Sequence, residues 1–223
     1  ETTGAMASGI RAALKALGKE EITVIGWAGD GGTFDIGIQA LSGAVERNDD
    51  FIYICYDNEA YMNTGIQRSS ATPWGAWTMT TPASHPESHP KKDILAIMAA
   101  HRVPYAATAS VAYPEDLLAK ARRAKETRGT RFLHILSPCP PGWKTSDDES
   151  IALARMAVTS RVFPLLEVED GERWRFTVEH PGDPVAPYLA RQGRFRHLTP
   201  EQIAHIQSEV NARWAMLERR VRR

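Results

Sequence analysis

Residues 22–67 constrain this chain more than any other stretch. A first apolar run, residues 22–27, ends in the turn Gly29-Asp30-Gly31-Gly32. A helical pattern follows over residues 35–47, with Ile38, Leu41 and Val45 on one face. A second apolar run, residues 51–56, leads into the polar loop 57–65, DNEAYMNTG. Strand, glycine turn, helix, strand is the order that binds phosphate groups in parallel α/β sheets, at the ends of the strands and the start of the helix. The unusual member is Asp30, which puts a carboxylate inside the turn.

That carboxylate selects among three uses of such a turn. A dinucleotide site needs G-x-G-x-x-G, but Phe34 stands where the third glycine belongs. A Walker loop ends in Gly-Lys-Ser/Thr, and no lysine is present here. The third use is indirect. Mg²⁺ takes oxygen ligands in octahedral geometry and bridges a carboxylate to phosphate oxygens, so the acid becomes a requirement. A second oxygen ligand is then expected at the end of the neighbouring strand. Asn58, 28 residues after Asp30, is placed for this, and the carbonyl of Ala60 is a candidate third. A turn-capping role for Asn58 is the simpler alternative. GDG followed about thirty residues later by such an asparagine is a thiamin diphosphate pattern.

The rest of the chain alternates strands and helices. Residues 5–17 form a helix with Ile10, Leu14 and Leu17 on one face, capped by Gly18. Its small residues Ala5, Ala7, Ser8 and Gly9 suit close backbone approach. Residues 63–90 lack apolar periodicity, and loops of that length are usually functional. Their His85 and His89 sit among prolines that oppose a helix, so both read as exposed loop histidines. Helices are expected at 93–101, 114–126 and 146–159, and strands at 105–109 and 131–137. The basic run of the 114–126 helix reads as a solvated face. Cys55, inside a strand, reads as an inert core residue.

After residue 137 the character changes. A rigid proline loop carries Cys139. Residues 165–168 and 173–178 flank Asp170-Gly171, a two-residue hairpin signal. Residues 181–187 read as an extended arm. Thr199-Pro200-Glu201-Gln202 is a capping box opening a helix with Ile203, Ile206, Val210, Trp214 and Leu217 on one stripe, and Arg219, Arg220, Arg222 and Arg223 at its end. The expectation is an α/β fold built on a mostly parallel sheet flanked by helices, with one domain over residues 1–160. Residues 161–223 add a hairpin, arm and helix that pack on that domain or on partner subunits.

Formal net charge is zero, which gives no footprint for nucleic acid. No apolar run approaches the roughly 20 residues of a membrane span. Two cysteines make no disulfide framework, so a reducing cytoplasm is the expected setting. The start, Glu1-Thr2-Thr3-Gly4, is neither an initiator methionine nor a processing site. Further residues are expected before it.

Four segments carry a family resemblance: GDGGTFDIGIQALSGAVERNDDFIYICYDNEAYMNTGIQRSSATP, IMAAHRVPYAATAS, FLHILSPCPPGW and QGRFRHLT. Together they resemble the beta subunit of the 2-oxoacid:ferredoxin oxidoreductases, most of all the pyruvate type. The resemblance implies the thiamin diphosphate-binding fold, diphosphate half. It implies that Gly29, Asp30, Gly31, Gly32, Asn58, Ala60 and Asn63 hold the cofactor, with Asp30, Asn58 and the Ala60 carbonyl on Mg²⁺. Asn63 and Thr64 are implied to work on the substrate side. Cys139 matches a thiolate of a [4Fe-4S] cluster, whose other three cysteines are expected before Glu1.

The implied reaction is oxidative decarboxylation of a 2-oxoacid, pyruvate first, to acyl-CoA and CO₂, with electrons leaving through the cluster and coenzyme A as co-substrate. An alpha subunit is implied to supply the pyrimidine half of the site. Gamma- and delta-type subunits and ferredoxin, or a similar acceptor, complete the set of partners. Aryl, branched-chain and dicarboxylic 2-oxoacids and oxalate remain alternatives. So do a non-redox thiamin diphosphate decarboxylase or synthase and a non-catalytic nucleotide- or phosphate-binding subunit.

Overall fold

A computed structural model describes residues 2–222. Its centre is a six-stranded sheet of order β1-β2-β4-β3-β5-β6. Strands β1 (Ile25–Gly29), β2 (Phe51–Asp57), β3 (Tyr105–Ser110) and β4 (Thr130–Leu136) are mutually parallel. Strand β5 (Leu166–Glu169) adds antiparallel to β3, and β6 (Arg173–Phe176) pairs antiparallel with β5. Strands buried on both faces need continuous apolar runs, and every residue of β3 and β4 is buried. The sheet is thus mostly parallel, as the alternation of patterns led us to expect.

Helices α1 (Thr3–Ala16), α2 (Ile38–Glu46) and α3 (Ile94–Ala100) pack with one sheet face around Phe34, Leu41, Tyr53, Met98 and Phe132. Close approach of α1 to α2 uses Gly4, and Ala7 is buried in the same core. A Cβ at Gly4 would lie 2.8 Å from the Ala40 carbonyl oxygen, whereas one at Gly9 would meet nothing. The expected apolar face of α1 is divided. Leu14 packs on the core, while Ile10 and Leu17 stay exposed. On the other sheet face α4 (Pro114–Glu126) covers Ile52, Leu133 and Ile135. Each large apolar side chain buried in these layers contributes about 1.5–3 kcal/mol.

A third apolar cluster joins α6 (Ser150–Thr159), α7 (Val185–Ala190) and the short helix α5 (Pro140–Trp143) to α8 (Pro200–Val221). The capping box of Thr199 and Gln202 opens α8 as expected, and Trp214 and Leu217 of its stripe are buried. Arg223 lies outside the described residues.

Three local expectations change. Pro187 sits in the first turn of α7 rather than in an extended arm, because N–H groups there need no intrahelical partner. The turn between β5 and β6 has three residues, since Glu169 pairs with Arg173, and Asp170 and Gly171 both take left-handed φ. Lys120 of α4 is buried rather than solvated. Its ammonium donates to Asp116 Oδ2 at 2.5 Å, and to the Thr108 carbonyl and Thr177 Oγ1 at 2.8 Å each. Among the described residues no helix is long and apolar enough to cross a membrane.

Candidate active site

Parallel register decides which groups meet at the sheet's end. Gly29 pairs with Tyr56, so the chain leaves β1 and β2 with Asp30 beside Asp57. Beyond Asp30 the backbone enters a wide π-helical turn, Gly31–Asp35, closed by the Ile36 N–H donating to the Gly31 carbonyl at 3.3 Å. Such turns recur at functional sites. The sequence pattern had led straight from glycine turn to α-helix. Thr33 fastens the turn by donating to the Gly29 carbonyl at 2.8 Å. Gly29, Asp30, Gly31 and Gly32 line one wall of an open cleft.

The opposite wall comes from Tyr56 of β2 and from the loop after it, with Asn58, Ala60, Tyr61, Met62, Asn63 and Thr64. Both walls hang on the ends of β1 and β2, so Asp30, Asn58 and Ala60 come together as expected. The terminal amide of Asn58 lies 3.0 Å from Asp30 Oδ1 and 2.9 Å from the Ala60 carbonyl oxygen. Turned one way, its NH₂ donates to both. Turned the other way, three oxygens converge on one point, which only a cation makes favourable. Hard oxygen donors of this kind suit Mg²⁺.

Charge around the turn points the same way. Three buried carboxylates, Asp30, Asp57 and Glu59, face two full cations, Lys91 and Arg194. Lys91 lies 2.5 Å from Asp57 and 2.8 Å from Glu59. His134 Nε2 is 2.6 Å from Asp57 Oδ2. Burial opposes the Asp57 charge, but Lys91 and His134 outweigh it and hold the carboxyl at about 2. Among the described residues no cation touches Asp30. Burial, and then the Asp57 charge, push it up to about 8, against a 2.5 Å hydrogen bond from Ser69 Oγ. The residue that faces the cleft is therefore the one whose charge its surroundings support least, and a cation in the cleft would hold it ionised.

Other side chains here were not legible as site residues. The Tyr61 ring lies over Gly31, where a Cβ would come within 2.2 Å of it, and its hydroxyl donates to the Gly31 carbonyl at 3.0 Å. Glu59 holds φ +71, a conformation that costs about 1–3 kcal/mol in a non-glycine residue. Ser69 lies inside the long polar loop and carried no signal beyond that.

Asn63 and Thr64 are exposed on the cleft loop. Thr64 Oγ1 donates to Gln67 Oε1 at 2.5 Å, and Gln67 Nε2 returns a bond to the Thr64 carbonyl at 2.8 Å, which pins the turn that carries Asn63. Cys139 is half-buried at the start of α5. A Cβ on Gly142 would fall 2.2 Å from Met62 Sδ and 3.7 Å from the Cys139 thiol. Cys139 thus sits beside the cleft loop. Among the described residues no three His, Cys, Asp or Glu side chains gather as a metal centre. A thiolate cluster would need ligands from elsewhere. His85 and His89 are exposed. Cys55 is fully buried, and burial pushes its thiol well above the ordinary range.

Fold and cleft together define the diphosphate-binding domain of a thiamin diphosphate enzyme, and residues 1–135 match the thiamine pyrophosphate enzyme, C-terminal TPP binding domain. The chain belongs to the beta subunits of the 2-oxoacid:ferredoxin oxidoreductases. It is 50% identical to ketoisovalerate oxidoreductase subunit VorB of Pyrococcus furiosus, over 98% of this chain and 74% of the relative. It is 53% identical to pyruvate synthase subunit PorB of Methanothermobacter thermautotrophicus, over 95% of this chain and 75% of the relative. A solved structure, 2-oxoglutarate:ferredoxin oxidoreductase from Magnetococcus marinus with 2-oxoglutarate, coenzyme A and succinyl-CoA bound, is similar in fold. It aligns with a TM-score of 0.55 at 25% identity, and the match spans 68% of this chain and 57% of that one.

Proposed function

We propose that this chain holds the diphosphate end of thiamin diphosphate through Mg²⁺, in a multisubunit enzyme that oxidatively decarboxylates a small 2-oxoacid. The observation that carries this reading is the convergence of Asp30 Oδ1, the Ala60 carbonyl and the Asn58 amide within 3.0 Å at the mouth of a glycine turn. Asp30 would supply the anionic ligand, and Asn58 and Ala60 the neutral ones. Gly31 and Gly32 begin a helical turn whose first N–H groups have no intrahelical partner, which suits phosphate oxygens. When bound, thiamin diphosphate supplies the electron sink for loss of CO₂ from a 2-oxoacid.

This chain's own residues then orient and protect. Asn63, on the exposed loop, would hydrogen-bond the substrate's developing charge. Thr64 holds the turn that presents it. Tyr56, Tyr61 and Met62 give the cleft an apolar wall. The cleft is open, so an alpha subunit facing it would complete the site and shut out water. Cys139, beside Met62, would give one thiolate to a [4Fe-4S] cluster and so place an electron acceptor next to the cleft. Coenzyme A would take the acyl group, and ferredoxin or a similar acceptor the electrons.

Pyruvate and a branched-chain 2-oxoacid are the leading substrates, because relatives named for each are about equally similar to this chain. A substrate panel on the intact complex tests the proposal, following dye reduction with and without coenzyme A. Dye reduction dependent on a 2-oxoacid and coenzyme A is expected. Decarboxylation without dye reduction, in a complex free of iron, would favour a non-redox enzyme. Asp30→Ala is expected to abolish Mg²⁺-dependent thiamin diphosphate binding, and retained binding would sink the metal assignment.

A further inference from the structure

Glu59 stands between the two loop ligands and touches neither the cleft nor solvent, being 3% exposed. All four of its polar groups are engaged. Its N–H donates to Asp57 Oδ1 at 2.9 Å, and its carbonyl accepts from Thr72 Oγ1 at 2.7 Å. Its carboxylate is held from both sides, by Lys91 at 2.8 Å and by Arg194 at 2.5 Å. Arg194 is itself fixed. It donates to Gln192 Oε1 at 3.0 and 2.7 Å, and its guanidinium lies 4.0 Å from the centre of the Trp143 ring.

A non-glycine residue stays in a left-handed conformation only where its surroundings over-determine it. Here the conformation has a geometric product. The backbone angles of residue 59 set how the Ala60 carbonyl is aimed relative to the Asn58 side chain. A right-handed or extended Glu59 would swing that carbonyl away from Asp30.

We propose that Glu59 is a positioning residue, whose clamp by Lys91, Arg194 and Thr72 aims Asn58 and the Ala60 carbonyl at the metal shared with Asp30. This rests on the reading of those three residues as the Mg²⁺ site. It also gives the 192–194 segment a task, because Arg194 reaches Glu59 across 135 residues of sequence.

The test is Mn²⁺ binding to the intact complex with thiamin diphosphate present, followed by the paramagnetic resonance signal of free Mn²⁺. Glu59→Gln removes the charge that Lys91 and Arg194 clamp. Its Mn²⁺ affinity is expected to fall at least tenfold, with cofactor binding recovered at saturating Mn²⁺. Thr72→Val removes two hydrogen bonds, one to the Glu59 carbonyl and one from the Ser69 N–H, and is expected to weaken Mn²⁺ several-fold in a fully folded complex, so it decides the matter if Glu59→Gln does not assemble. Lys120→Met disturbs a buried ammonium elsewhere and is expected to lower the melting temperature with Mn²⁺ affinity unchanged. Unchanged Mn²⁺ affinity in a folded Glu59→Gln or Thr72→Val complex overturns the proposal. An Asp30→Ala complex that keeps Mn²⁺-dependent cofactor binding overturns the metal site itself, and this outcome separates the two failures.

Discussion

Trp143 Nε1 donates a 2.9 Å hydrogen bond to the backbone carbonyl of Asn58. This bond ties the loop that carries Cys139 to the loop that carries the oxygen ligands. The indole is fully buried and packs edge-on against Tyr188. Any shift of α5 is therefore passed to Asn58.

Trp143→Phe should leave the Asn58 carbonyl without its donor, at a cost of about 1–3 kcal/mol for an unsatisfied buried group. Affinity for thiamin diphosphate at fixed Mg²⁺ is expected to fall about tenfold, measured by calorimetric titration of the complex. An unchanged affinity would show that the bond does not position Asn58.

Gly31→Ala should disrupt the turn, because a Cβ would lie 2.2 Å from the Tyr61 ring. The single variant is expected to lose cofactor binding. Adding Tyr61→Ala removes the obstacle, so the double variant should recover part of it. A double variant no better than Gly31→Ala would show that the ring is not what makes glycine necessary. Contacting residues of this kind are expected to be non-additive.

Cys139→Ala should remove one thiolate from the proposed cluster. The expected result is a lost or altered resonance spectrum of the reduced complex, with thiamin diphosphate binding retained, since Asp30, Asn58 and Ala60 are untouched. An unchanged spectrum would remove Cys139 from the ligand set.

His180 should make the fold sensitive to mild acid. Its Nε2 accepts from the Leu165 N–H at 2.8 Å. Burial, followed by the nearby Arg161 and Lys120 charges, lowers its pKa from 6.5 to about 4. The unfolded chain takes up this proton near 6.5, and the native state resists it until about 4. Stability from this group is therefore complete above about pH 6.5, falls as pH drops towards 4, and is level below that. Melting temperature plotted against pH should be flatter over this window in His180→Gln than in the parent. Parallel curves would rule the linkage out.

The candidate site was legible in part, and for local reasons. Asp30 and Asn58 follow apolar runs whose pairing puts them at one sheet edge, so spacing and residue type sufficed to bring them together. Gly18 and the capping box at Thr199 were visible because caps act over a few residues. The clamp on Glu59 was not visible, since Lys91 and Arg194 lie 32 and 135 residues away and look like any other basic residues. Tyr61 was invisible as a lid on Gly31 because only the folded loop brings ring and turn into contact. Lys120 read as solvated because helical periodicity says nothing about which polar residue will be buried with three acceptors around it.

The sequence by itself determined the strand-and-helix order, the mostly parallel sheet and the placing of a carboxylate in a phosphate-type turn. Those are consequences of apolar periodicity and glycine placement, which act over a few residues. Tertiary structure alone decided the direction in which the ligands point. A left-handed Glu59, an indole bond to Asn58 and a buried carboxyl at Asp30 arise where segments far apart in sequence pack together. There each buried polar group must find a partner, and at Asp30 the geometry leaves room for a cation to be that partner.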